Sequence, residues 1–332
     1  MASITTIADE LGISPSTVSR ALQRPQMVSA KTRHAVLQTA KKQGYLNKLN
    51  EDKGHPALEP LIGVLVADLS NSFSGLIVKS AQDQAYLRNY SVVVGCTYEQ
   101  PALEKQILKQ WEALDLKGIV AMPSHGFCEA YENLNSKIPL VLVDRSMPQL
   151  NCDSVIVDDS EGMGQIIEHL LSLSHENIVL LSGNRSVYTF KERSQAALAY
   201  PNVKVIDINA VKYEELYMGA FEQTSILMLR PKSLRPTALI GANNAITAGI
   251  LYALNLKGIK VPDDVSVVSY GDSEWCRFYP APVTSIRQPI EEMATTAANL
   301  LFERIDGSLD EFKQIKQSPM LLARASTALL TN

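Results

Sequence analysis

Cysteine is scarce in this chain: four in 332 residues, at Cys96, Cys128, Cys152 and Cys276, with no CxxC pair. That spacing excludes a disulfide framework and a cysteine-rich zinc site, and reads as reduced thiols. The five histidines show no metal-ligand spacing; His169 and His175 are six apart and flank a helix end. No apolar run reaches the roughly 18 residues that a membrane span needs. The opening MASITTIADE has neither the basic nor the apolar region of a secretory signal. Also missing are GxGxxG after the first strand-like run, GxxxxGK[ST], GxSxG and paired histidine ligands. Their absence leaves dinucleotide, P-loop, serine-hydrolase and zinc chemistry without a motif. The expectation is a cytoplasmic protein, not an enzyme, with no membrane span, metal or cofactor. Catalysis on an α/β fold stays as the alternative.

What is present begins with Thr5–Tyr45, which reads as three short helices. Gly12 ends the first in a conformation suited to a tight turn. Ser14 then offers an N-cap oxygen, and Pro15 stands at the first helical position, where a missing N–H costs nothing. The second helix buries Val18 and Leu22 at i, i+4 and turns Ser16, Thr17, Ser19 and Arg20 outward. Ser29 caps the third. Helix, glycine turn and a second helix opening on small polar side chains form the helix-turn-helix pattern. Hydroxyls bond phosphates or base edges, and Arg20 reaches guanine or phosphate. Residues 1–50 hold seven Lys/Arg against two Asp/Glu, and the rest 24 against 33, so a basic head sits on an acidic body. That asymmetry confines phosphate attraction to one end. The expected DNA-reading residues are Ser14, Pro15, Ser16, Thr17, Ser19, Arg20, Gln23, Ser29 and Thr32.

Beyond residue 60, short apolar runs alternate with amphipathic stretches. LIGVLVADL is a run typical of a strand buried on both faces of a parallel sheet. YSVVVGCT, GIVAMP, IPLVLVD, SVIVDD, NIVLLSG, VKVIDI, TALIGAN and VSVVSYGD follow, mostly separated by helical segments. About nine strand-like runs in β-α-β order imply right-handed crossovers and two Rossmann-like lobes. Ligands of such sheets bind at the carboxyl ends of strands, where Asp68, Asp144, Asp158, Asn243 and Asp272 stand. Trp111 is assigned to core or interface, and Trp275 to packing in the second lobe.

The run ISPSTVSRAL, then VSAKTR, then GY, resembles the N-terminal domain of the LacI/GalR family of bacterial transcriptional regulators. IGVLVADLSNSFS, LVDRS, IGANNAITAGILYALNLKGIKVPDDVSVVSYGD, PAPVTSIRQP and LLARAST extend the resemblance over nearly the whole chain. It implies an α/β protein with a small all-α helix-turn-helix domain at 1–46 and a hinge at 47–60. A two-lobed effector-binding and dimerisation domain at 61–332 would be similar to periplasmic sugar-binding proteins. Lobe one is expected at about 61–157 and 287–317, lobe two at about 158–286 and 318–332. Implied partners are pseudo-palindromic operator DNA, a carbohydrate-like effector and a second copy of the chain. A dimer is favoured over a tetramer, since no leucine heptad follows ARASTALL.

Carried over by position, the effector site is Asp68, Asn71, Phe73, Asp144, Arg193, Asn243 and Asp272. For each Asp the competing role is a helix cap or turn. Three departures stand out. The family's hinge leucine falls on Gly54, beside Pro56 and acidic Glu51 and Asp52, which oppose a hinge helix. A sensor with weakened DNA binding is therefore a further alternative. Gly271 replaces an acid that often binds a sugar hydroxyl, and Asn244 replaces another. With Arg145, Arg185, Lys191 and Arg193 on nearby loops, the expectation is an effector with an acidic group, a sugar acid or sugar phosphate.

Overall fold

A computed structural model describes residues 3–23, 28–43, 45, 59–124, 129–308 and 310–330. The hinge positions Glu51, Asp52, Gly54 and Pro56 and Cys128 lie outside the described residues. The chain divides into two compact units, Met1–Glu59 and Pro60–Asn332.

The first unit holds α1 (Ile4–Leu11), α2 (Pro15–Gln23) and α3 (Ala30–Lys42). Ser3 caps α1 reciprocally with Thr6. Gly12 takes φ 63° and donates to the carbonyls of Ala8 and Asp9, closing α1. Ile7, Ala8, Val18, Ala21, Val36 and Ala40 form the core, with Leu22 packed at its edge. So small a core holds each helix by two buried apolar side chains, with Ile4 and Leu11 also packed at its edge.

The second unit contains two six-stranded sheets. In the first, β1 (Leu61–Val66), β2 (Ser91–Cys96), β3 (Leu116–Ala121), β4 (Leu140–Val143), β5 (Asp153–Val157) and β11 (Gln314–Gln317) run in the order β11-β5-β4-β3-β1-β2. All its pairings are parallel. In the second, β6 (Ile178–Ser182), β7 (Val203–Asp207), β8 (Ala238–Gly241), β9 (Ser266–Tyr270), β10 (Thr284–Arg287) and β12 (Met320–Leu322) run β12-β10-β9-β8-β6-β7. Its edge strand β12 is antiparallel to β10. Nothing in the local pattern announces β10, β11 or β12: QIKQ and MLL are too short to carry a period.

Helices cover both sheets. α4 (Ser72–Tyr86) and the unforeseen Ala-rich helix α12 (Ile290–Ile305) pack together on lobe one, and α5 (Pro101–Trp111) and α6 (Glu129–Asn135) complete that lobe. α7 (Asp159–Ser172), α8 (Tyr188–Leu198), α9 (Tyr213–Met228), α10 (Asn244–Leu256) and the short α11 (Trp275–Phe278) belong to lobe two. Trp111 is buried against β1, where a side chain on Gly63 would meet its ring. No helix among the described residues is long and apolar enough to cross a membrane. Strand order reverses between β1 and β3 in one sheet and between β6 and β8 in the other. Both topological switch points open at the carboxyl ends of strands, where ligands of such sheets bind.

Candidate functional site

Two surfaces carry the expected residues, one in each unit. On the first, Ser14 accepts from the Thr17 amide at 3.2 Å and Ser29 from the Thr32 amide at 3.1 Å, so each caps its helix. Ser14 Oγ also lies 2.8 Å from both Ser16 Oγ and Thr17 Oγ1, and Ser29 Oγ lies 2.8 Å from Thr32 Oγ1. Ser14, Pro15, Ser16, Arg20 and Ser29 are exposed, while Thr17, Ser19 and Thr32 are half-buried. The Gln23 side chain lies outside the described ones. Hydroxyl clusters at two helix starts, with a guanidinium one turn along α2, suit phosphates and base edges.

On the second unit, six of the seven expected effector residues line one cleft between the lobes, of about 140 Å³. Asp68 follows β1 and accepts from the Ser70 amide (2.9 Å) and hydroxyl (2.7 Å), an Asx turn. Asn71 caps α4 through the Phe73 amide at 3.1 Å, and Asn243 caps α10 through the Ile246 amide at 2.9 Å. Each cap uses the amide oxygen, and the Nδ2 donors remain. Phe73 is buried on the lobe-one wall. Arg193, buried in α8, donates from Nε to Asp159 (2.8 Å) and from Nη1 to the Ala242 carbonyl (2.9 Å). Its guanidinium lies 3.9 Å from the Tyr270 ring centroid.

Asp144 ends β4 with φ 66° and is buried. Burial pushes its carboxyl up to about 6, although Arg145 and Arg193 pull the other way. Neighbouring Arg145 is largely engaged, with its Nε 3.7 Å from the Asp144 carboxylate and without a hydrogen-bond partner among the described residues. It meets Glu99 in a two-pronged pair (2.9 and 2.5 Å) and donates to the Pro123 carbonyl at 2.8 Å. Glu99 and Tyr98 both take left-handed φ, 55° and 48°, which local sequence does not announce in residues other than glycine. Arg145, Glu99, Tyr98, Thr189, Tyr213 and Gln288 line the cleft too and were absent from the sequence-based set.

This geometry does not single out an acidic effector. Arg145 and Arg193 are neutralised by Glu99 and Asp159. Arg185 pairs with Asp207 at 2.9 Å, and neither it nor exposed Lys191 lines the cleft. The lining holds Asp68, Glu99, Asp144 and Glu214 against Arg145, Arg193 and Lys212, one negative charge in excess. Nothing in that balance selects an anion.

Asp272, the seventh expected residue, does not line this cleft. Its side chain lies outside the cleft, 2% exposed, bonded to Arg324 (2.7 Å), Ser285 (2.8 Å) and Arg287 (3.0 Å). Desolvation opposes ionisation, but those hydrogen bonds win and hold its carboxyl below the usual range. Gly271 takes φ 115°, and a Cβ there would run into Asn244 Oδ1. Two of the departures noted in the sequence, Gly271 and Asn244, thus meet in space. Replacing Gly271 by Asp is expected to cost about 1–3 kcal/mol from backbone strain alone, before displacing Asn244. A urea midpoint unchanged from wild type would contradict that packing.

Comparison with known proteins agrees with both units. Residues 3–47 match the model for bacterial regulatory proteins of the lacI family, and residues 167–327 that for a periplasmic binding protein-like domain. The HTH-type transcriptional regulator DegA of Bacillus subtilis is 26% identical over 98% of this chain and 97% of its own. The HTH-type transcriptional repressor PurR of Haemophilus influenzae is 28% identical, covering 98% of each. Among solved structures, the lac repressor dimer bound to operator and the anti-inducer ONPF matches with TM-score 0.71 at 24% identity. That match covers 98% of this chain and 99% of the repressor's. A LacI family transcriptional regulator of Enterococcus faecalis V583 with bound ribose gives 0.72 at 23% identity, over 82% and 100%. At such identities these two likenesses speak for the fold alone.

Proposed function

We propose that this chain is a member of the lacI family of bacterial regulatory proteins and, within it, a cytoplasmic repressor of a carbohydrate-utilisation operon. In this reading residues 1–46 bind operator DNA, 47–60 link, and 61–332 bind a small sugar-like effector and a second copy of the chain. Two heads on a dimer match a pseudo-palindromic site, because protein symmetry is mirrored in the DNA. The observation that carries the reading is the convergence of Asp68, Asn71, Phe73, Asp144, Arg193 and Asn243 on one interlobe cleft. Carboxylates and amides bond hydroxyls, an aromatic face covers a ring's apolar side, and the nearly balanced charge favours a neutral polyol.

The chain passes between lobes at 157–159, 287–290 and 317–320, so a ligand touching both lobes biases their angle. Ligand and DNA affinities are then reciprocally coupled, typically by about 1–3 kcal/mol. Selection from a random duplex pool is the test: a two-fold symmetric consensus is expected, and a pool without enrichment sinks the proposal. Arg20→Ala should weaken the selected site by about 1–3 kcal/mol. A gel shift that reads the same for variant and wild type removes Arg20 from the interface.

A further inference from the structure

Beside the effector cleft lies a second, larger chamber of about 620 Å³, between the start of α4 and the loop after β9. The two cavities share a wall: Asn71, Phe73, Tyr213, Asn244 and Gln288 line both. The outer chamber adds the half-buried indole of Trp275 and the hydroxyls of Ser70 and Ser273. Its charges cancel, Lys79 and Arg287 against Asp272 and Glu274, and Asp272 is already wrapped by Arg324 and Arg287. At the shared wall, Asn244 Oδ1 is buried with no hydrogen-bond partner among the described residues. It lies over Gly271, where any side chain would displace it.

An aromatic face, hydroxyl and amide groups and no net charge suit a second sugar ring or an aryl group better than a phosphate. The inner cleft, about 140 Å³, has room for one small ring only. We infer that the effector is a two-part neutral glycoside: one ring in the inner cleft, the second unit against Trp275, and a donor to Asn244 Oδ1 between them. This deepens the carbohydrate-effector reading and rests on it.

The chamber offers a clean variant. Gly75, in the first turn of α4, lines it, and a Cβ there meets nothing within 4 Å. Gly75→Leu therefore plugs the outer chamber while removing a helix glycine, a change that favours folding. Calorimetric titration of the full chain would compare glucose, galactose, xylose and ribose with maltose, cellobiose, lactose, xylobiose and p-nitrophenyl glycosides. At least one glycoside should bind tenfold or more tightly than its parent monosaccharide, and its nitrophenyl form should quench Trp275 emission. Gly75→Leu and Trp275→Leu should each erase that advantage, leaving the monosaccharide constant unchanged, and Trp275→Phe should restore most of it. Tightest binding by a monosaccharide, or equal losses for both ligand sizes in the two Leu variants, overturns the second unit but keeps the carbohydrate reading. No binding by any carbohydrate overturns that reading and this inference together.

Discussion

Asp144→Asn is expected to make the protein more stable at pH 7 and its effector binding weaker. Burial raises this carboxyl to about 6 in the folded chain, against about 4 when unfolded. Between those values the folded state holds the proton more tightly, so stability falls as pH rises from 4 to 6 and stays low above. The ionised group therefore costs on the order of 2–3 kcal/mol at pH 7. Asparagine removes that cost and orphans no cation, because Arg145 keeps Glu99 and Arg193 keeps Asp159. Burial shifts His169 and His175 downward, so they lose stability as pH falls, in wild type and variant alike. The difference between the two chains isolates Asp144. Urea unfolding from pH 4 to 8 should show a gap that opens as pH rises. A variant less stable than wild type at pH 7 would mean that the carboxylate is held by contacts stronger than its burial.

Arg193→Met carries the largest destabilisation, about 3–5 kcal/mol, the usual cost of stranding one member of a buried pair. Asp159 would be left 4% exposed with no cation on its carboxylate, beside the also acidic Asp144. The Ala242 carbonyl and the Tyr270 ring lose their partner in the same step. Adding Asp159→Asn should return much of the stability, since no unpaired charge then remains. Effector response should stay lost in the double variant, because the fork of donors facing the cleft is gone. A double variant that still responds to effector would reduce Arg193 to a structural part.

The legibility of the sequence followed distance along the chain. Head helices are set by contacts within a few residues: Ser14 on Thr17, Ser29 on Thr32, Gly12 on Ala8. Cleft residues at strand ends were legible because a strand followed by a helix fixes where its last polar side chain stands. Asp272 was misplaced because the groups that claim it, Ser285 and Arg324, lie 13 and 52 residues on. Reading Arg145 as a free cation failed likewise, since Glu99 is 46 residues away in a left-handed turn. Loose positive charge in a sequence says little about charge in a cleft until its partners are known.

The most direct test is DNA binding by the purified chain to its own upstream region, with and without neutral mono- and disaccharides, sugar acids and sugar phosphates. Specific binding at one pseudo-palindromic site, changed in strength by a neutral carbohydrate alone, is the predicted result. No specific binding in any condition contradicts the repressor account and leaves a sensor whose head and linker, with Gly54 and Pro56, no longer grip DNA.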